Sequence, residues 1–117
     1  MEPVIPPFPG EVYWADLGST QGREQSGLRP YFVVSSRAHI REVDPLVTLS
    51  PCTGRDRGWI NHVPLTGGIS LTRPTFVMTE QVRTVAREHL IRPIGIADEA
   101  CVREVMAWVR NWIHAAA

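Results

Sequence analysis

The chain has 117 residues, 44% of them hydrophobic, enough for one compact domain with a buried core. Its 12 basic residues balance its 12 acidic ones, so net charge alone selects neither a nucleic acid, nor a membrane surface, nor a polyanion as partner. No apolar run approaches the roughly 18 residues of a membrane span, and the start MEPVIPPFPG lacks the features of a signal peptide, so the expected compartment is the cytoplasm and no membrane is expected as partner.

The proline-rich first residues cannot form a helix and read as an extended arm over residues 1–9, ahead of a single domain over 10–117. EVYWADL alternates Val12, Trp14 and Leu17 against Glu11, Tyr13 and Asp16, the pattern of a half-buried strand. GSTQGREQSG follows, with three glycines in ten residues and no apolar side chain; a loop of that length in a small domain is usually functional or disordered. Pro30 biases Arg29 toward extended geometry, and YFVVSS reads as a central strand. Residues 36–44 have room for a helical turn. LVTLSPCT is the next strand, GRDRG a polar turn, and WINHVPL and PTFVMTEQV further strands separated by TGGISLTR. A short strand at LIRPIG closes the β-rich part.

From Asp98 the period changes. Cys101, Val102, Val105, Met106, Val109, Trp112 and Ile113 recur at intervals of three and four, the stripe of one helix, with Asp98 as its N-cap and Glu99 near the positive end of its dipole. Short strands with turns between them and no intervening helices predict a mainly β protein with α, an antiparallel barrel carrying a C-terminal helix, rather than a doubly wound sheet. Trp108 falls off the apolar stripe and reads from its place alone as an exposed tryptophan.

All twelve basic residues are arginines, six of them between Arg23 and Arg57, which removes lysine chemistry and favours forked contacts to carboxylate or phosphate. Cys52 and Cys101 show no metal-binding spacing and read as buried reduced thiols, so neither a metal nor another cofactor is expected. Arg29, at the start of a strand after a glycine-rich loop, is placed to face an anion. Thr53, at the end of another strand, offers a hydroxyl to the same point. Glu24 is the nearby carboxylate able to act as a base. Gln25, Arg55, Arg57 and Trp59, with Tyr13 or Trp14, are the other polar and aromatic residues on or next to these segments. His39, His62 and His89 lie in no motif and read as ordinary surface or partly buried histidines, while His114 suits the C-terminal end of the helix dipole.

GEVYWADL, GREQSGLRP, YFVVSS, SPCTGRDRG and TEQVRT, in that order, resemble the MazF/PemK family of toxin endoribonucleases. Each motif is weak alone; the ordered set is specific and spans almost the whole chain. The resemblance implies an SH3-like barrel of the CcdB, MazF and Kid type, forming a homodimer. It also implies a sequence-specific endoribonuclease that cuts single-stranded RNA, expected to be messenger RNA, without a metal, by attack of the 2′-OH on the adjacent phosphate. The family's main catalytic residues carry over to Arg29 and Thr53, with the loop acid Glu24 beside them. With such a substrate, Gln25, Arg55, Arg57 and Trp59, with Tyr13 or Trp14, are candidates to hold and read unstacked bases, and Glu80 joins this substrate-binding set, although a relative with an arginine two positions earlier finds Met78 here. The partner implied is a cognate antitoxin whose disordered acidic tail covers the RNA groove. Two readings compete: a non-enzymatic toxin of the same fold that poisons a protein target such as DNA gyrase, and a binding barrel of the SH3 type.

Overall fold

The computed structural model describes residues 5–18 and 28–114. In chain order these form β1 (Glu11–Asp16), β2 (Leu28–Val33), α1 (Arg37–Glu42), β3 (Leu46–Thr53), β4 (His62–Pro64), β5 (Gly67–Ile69), β6 (Phe76–Met78), β7 (Arg83–Ala86), β8 (Leu90–Ala97) and α2 (Glu99–His114). The strands make one antiparallel sheet in the order β4-β6-β3-β2-β1-β8-β5, with β7 also paired to β3. The sheet curls into a half-barrel and α2 packs on it, the mainly β architecture with a C-terminal helix expected from the sequence.

Each face of the sheet carries its own core. Val12, Phe32, Cys52, Val63 and Val77 point toward α2 and meet Cys101, Val105 and Val109. Their sequence neighbours Tyr13, Tyr31 and Val33 point the opposite way and pack with Ala15, Ile40, Val47 and Leu49. This two-fold alternation is the pleat of the strands. It also corrects the half-buried reading of EVYWADL: Glu11 and Tyr13 are buried on the second face, and Tyr13 shares a side-chain hydrogen bond with Glu11.

Asp98 caps α2 as expected, its Oδ1 accepting from the Cys101 N–H at 2.8 Å. The apolar stripe is buried from Cys101 to Val109, but Trp112 and Ile113 are 50% and 69% exposed. Trp108 stacks on Trp112 at 5.6 Å between ring centres and packs against the core, so it is more enclosed than its place off the stripe suggests.

β5 and β7 lie where no strand was expected. Two glycines made Gly67–Ile69 look like a turn, yet β5 pairs with β8 because Gly95 carries no side chain: a Cβ there would overlap the Gly68 carbonyl and lie 2.6 Å from Ile69 Cα. PTFVMTEQV is one run in sequence but breaks into β6 and a 3-10 turn, Thr79–Gln81, before β7 begins at Arg83. The cause is tertiary. Ser50 Oγ donates to the Met78 carbonyl at 2.7 Å, and Thr79 Oγ1 donates to the Asn61 carbonyl at 2.8 Å, so the chain steps away from β3 there.

Candidate functional site

Strand register brings the two principal site residues to one place. Tyr31 faces Pro51 and Val33 faces Leu49 across β2 and β3, and Arg29 and Thr53 each lie two residues beyond Tyr31 and Pro51, at the same end of the two strands. Residues opposite one another on antiparallel strands project to the same side, with Cβ atoms about 5 Å apart. Arg29 therefore continues the side of Tyr31 and Val33, away from α2, at the end of the sheet where β1 leaves for residues 19–27.

Thr53 is oriented by its own turn: its Oγ1 accepts from the Arg55 N–H at 3.1 Å. With the oxygen engaged, the hydroxyl proton is the part left to donate outward. Arg55 and Arg57 follow on this turn with exposed side chains, and the Arg57 guanidinium carbon lies 5.9 Å from the ring centre of Trp59. Trp59 is 52% exposed. Tyr13 is buried in the second core cluster, while Trp14 packs, partly buried, against the first.

Arg83, absent from the residues singled out by sequence, joins the same face. It pairs with Leu49 on the far side of β3. Burial pushes the Tyr31 phenol up, while the positive charges of Arg29 and Arg83 both pull it back. The signal was present in the TEQVRT motif, which ends on this arginine and its neighbour.

Glu80 sits one row away. The pairings of Thr53 with Phe76 and of His62 with Met78 place His62 and Met78 on the same face, one pleat along β6 from Phe76. Glu80 lies just beyond. Its Oε1 accepts from Asn61 Nδ2 at 2.8 Å, both oxygens lie 3.1 Å from His62 Nε2, and Oε2 accepts from Gln81 Nε2 at 3.3 Å. Desolvation, the largest single influence, raises the carboxyl, but the hydrogen bonds from His62, its own backbone and Gln81, with the charge of His62, outweigh it and hold Glu80 below the ordinary carboxylate range.

His62 thus departs from the reading of an ordinary histidine: it is buried, with its ring 4.8 Å from that of Trp59. The other two do fit a structural role. His39 Nδ1 bonds Ser35 Oγ at 2.7 Å at the start of α1, and His89 Nδ1 bonds the Asp16 carbonyl at 3.0 Å. Cys52 and Cys101 are buried free thiols, both pushed up first by desolvation, and so are poor nucleophiles. Among the described residues no three His, Cys, Asp or Glu side chains converge as a metal site requires. No described helix is long and apolar enough to cross a membrane. Glu24 and Gln25 lie outside the described residues.

A small antiparallel half-barrel with a C-terminal helix defines an SH3-like barrel. The chain belongs to the PemK-like, MazF-like toxin family of type II toxin–antitoxin systems, whose sequence profile matches residues 8–113. The Endoribonuclease MazF of Staphylococcus saprophyticus is 29% identical over 99 residues, 82% of each chain. The MazF structure of Deinococcus radiodurans superposes with a TM-score of 0.77 at 24% identity, covering 92% of this chain and 96% of that one. An endoribonuclease in complex with its cognate antitoxin from Mycobacterial species gives 0.77 at 22% identity, over 95% and 98% of the two chains. At these identities the structural likeness establishes the fold.

Proposed function

We propose that this toxin is an endoribonuclease that cuts single-stranded RNA, with messenger RNA as its target, by turning the RNA's own 2′-OH on the neighbouring phosphorus. The observation that carries the reading is that Arg29 and Thr53 each lie two residues beyond the paired Tyr31 and Pro51, at one end of β2 and β3, with Arg83 opposite Leu49 on the same face. A phosphate between them would meet forked guanidinium donors and a hydroxyl whose oxygen is already held.

The reaction needs three services. A base takes the 2′-OH proton as the 2′-oxygen bonds to phosphorus; donors stabilise the charge growing on the phosphorane oxygens; the 5′-oxygen leaves as its P–O bond breaks and takes up a proton. Fixed donors aimed at developing charge usually supply the largest share of such catalysis. That is the role of Arg29 and Thr53. Glu24 serves as the base. Water protonates the 5′-oxygen. The products are a 2′,3′-cyclic phosphate and a 5′-hydroxyl end, and no step calls on a cofactor. Arg55, Arg57, Trp59 and Gln25 hold the flanking nucleotides, by charge and by stacking.

The partner follows from the family and from the arginines. A cognate antitoxin with a disordered acidic tail would fold onto the rim carrying Arg29, Arg55, Arg57 and Arg83 and occupy the RNA groove. The acting unit is a homodimer in the cytoplasm. The test is an RNA with a single 2′-deoxy nucleotide at the cut: the reading requires that cleavage there stops, and continued cutting excludes the 2′-OH as nucleophile.

A further inference from the structure

We propose that Glu80 and Trp59 form a nucleobase subsite of the RNA groove, in which the carboxylate accepts a hydrogen bond from the amino group of one base lying against the indole, and that His62 is the positioning residue that holds this carboxylate. The proposal rests on the endoribonuclease reading and adds to it what one subsite reads.

The geometry of the carboxylate supports this role. His62 Nε2 is equidistant, 3.1 Å, from both oxygens, so its hydrogen points between them and fixes the plane of the group. Asn61 takes the outer side of Oε1 at 2.8 Å. The outer side of Oε2 receives only the Gln81 amide, at 3.3 Å the longest contact of the set and from an exposed residue. That is the acceptor position a ligand can take over. The Glu80 side chain is 26% exposed against 2% for His62, so the acid faces the groove from a buried support.

The support is itself anchored. Thr79 Oγ1 receives the Trp112 indole N–H at 3.1 Å and donates to the Asn61 carbonyl, tying the turn that carries Glu80 to α2 and to the segment before β4. Trp59, 4.8 Å from the His62 ring and half-exposed, offers a flat surface next to the histidine that holds the acid. Glu80 follows β6, two strand steps from β2, roughly 9 Å at the usual interstrand spacing. The subsite therefore reads a neighbouring nucleotide and not the scissile phosphate.

An ionised carboxylate only accepts hydrogen bonds. It favours the amino-bearing edges of cytosine, adenine or guanine and disfavours uracil, whose N3–H is flanked by two carbonyl oxygens. The same contacts hold Glu80 below the ordinary carboxylate range, which makes it a weak general base.

The test is sequencing of cleavage ends from a random RNA pool cut by wild type, Glu80→Gln, His62→Gln, His62→Leu and Trp59→Ala, with circular dichroism and melting curves for each. Wild type should deplete uracil at one position near the cut by at least about ten-fold. Glu80→Gln, nearly the same shape but carrying an NH2 donor, should remove that depletion while the other positions keep their preferences. His62→Leu should flatten the same position, His62→Gln should restore part of it, and Trp59→Ala should weaken it. Identical base frequencies at every position in wild type and a folded Glu80→Gln overturn the subsite and leave the nuclease reading standing. A wild-type protein that cuts no member of the pool overturns both.

Discussion

His62 Nε2 lies 3.1 Å from each carboxylate oxygen of Glu80, a pairing between strand β4 and the turn after β6, 18 residues on in the chain. Because the folded state holds Glu80 below its ordinary value of 4.5, the unfolded chain takes up its proton first as pH falls. The pair's contribution is complete above the unfolded value and is lost as pH drops through the folded one. Melting temperature measured from about pH 6 to about pH 3 should fall more steeply for wild type than for Glu80→Gln. Parallel curves would mean that the pair adds nothing to acid stability.

Tyr13 and Glu11 predict the opposite dependence at high pH. Burial first, then the charge and hydrogen bond of Glu11, push the Tyr13 phenol up to about 12. The folded protein then keeps this proton more tightly than the unfolded chain does, so stability falls as pH rises from the unfolded value of 10.0 toward the folded one. Tyr13→Phe should lose this alkaline slope. At neutral pH it should also cost about 1–3 kcal/mol, because Glu11 is buried with Oε1 already lacking a partner and loses its phenol donor. Urea unfolding at two pH values checks both.

Gly95 makes the sharpest demand on backbone space. Its φ is +150° and a Cβ would run into the Gly68 carbonyl, where β5 meets β8. Gly95→Ala should destabilise by at least about 2 kcal/mol. Gly58, at φ +73° with nothing near its Cβ position, should lose less when changed to Ala; equal losses at the two sites would assign the effect to φ alone.

Arg83 and Thr53 separate binding from chemistry. Arg83→Ala should weaken binding to single-stranded RNA and lower the slope of log affinity against log salt by about 0.7, the share of one phosphate contact. Thr53→Val removes a donor aimed at the reacting phosphate and should lower kcat by about 10²-fold, whereas Thr53→Ser keeps most of it. A Thr53→Val enzyme with unchanged kcat would remove the hydroxyl from the reaction.

Local signals made much of this legible. The Asp98 cap and the spacing from Cys101 to Val109 defined α2, and β-branched runs marked β2 and β3, because those elements obey rules that act within a few residues. β5 was hidden because two glycines signal a turn unless another glycine, Gly95, lets a strand approach closely. The break between β6 and β7 was hidden because Ser50 and Asn61, distant in sequence, impose it. Arg29 and Thr53 stood out as motif residues, while His62 did not, since its significance lies in Glu80 across a strand pairing. Arg83 was inside a recognised motif and was passed over.

The central claim is that Arg29 and Thr53 act on one phosphate of an RNA chain, and the most direct measurement is cleavage of a random single-stranded RNA pool in EDTA by wild type and Arg29→Ala. The account predicts that wild type cuts at defined sequences and that Arg29→Ala, with an unchanged melting temperature, is slower by at least about 10²-fold. Undiminished cutting by Arg29→Ala, or no cutting by wild type in any sequence context, would contradict it.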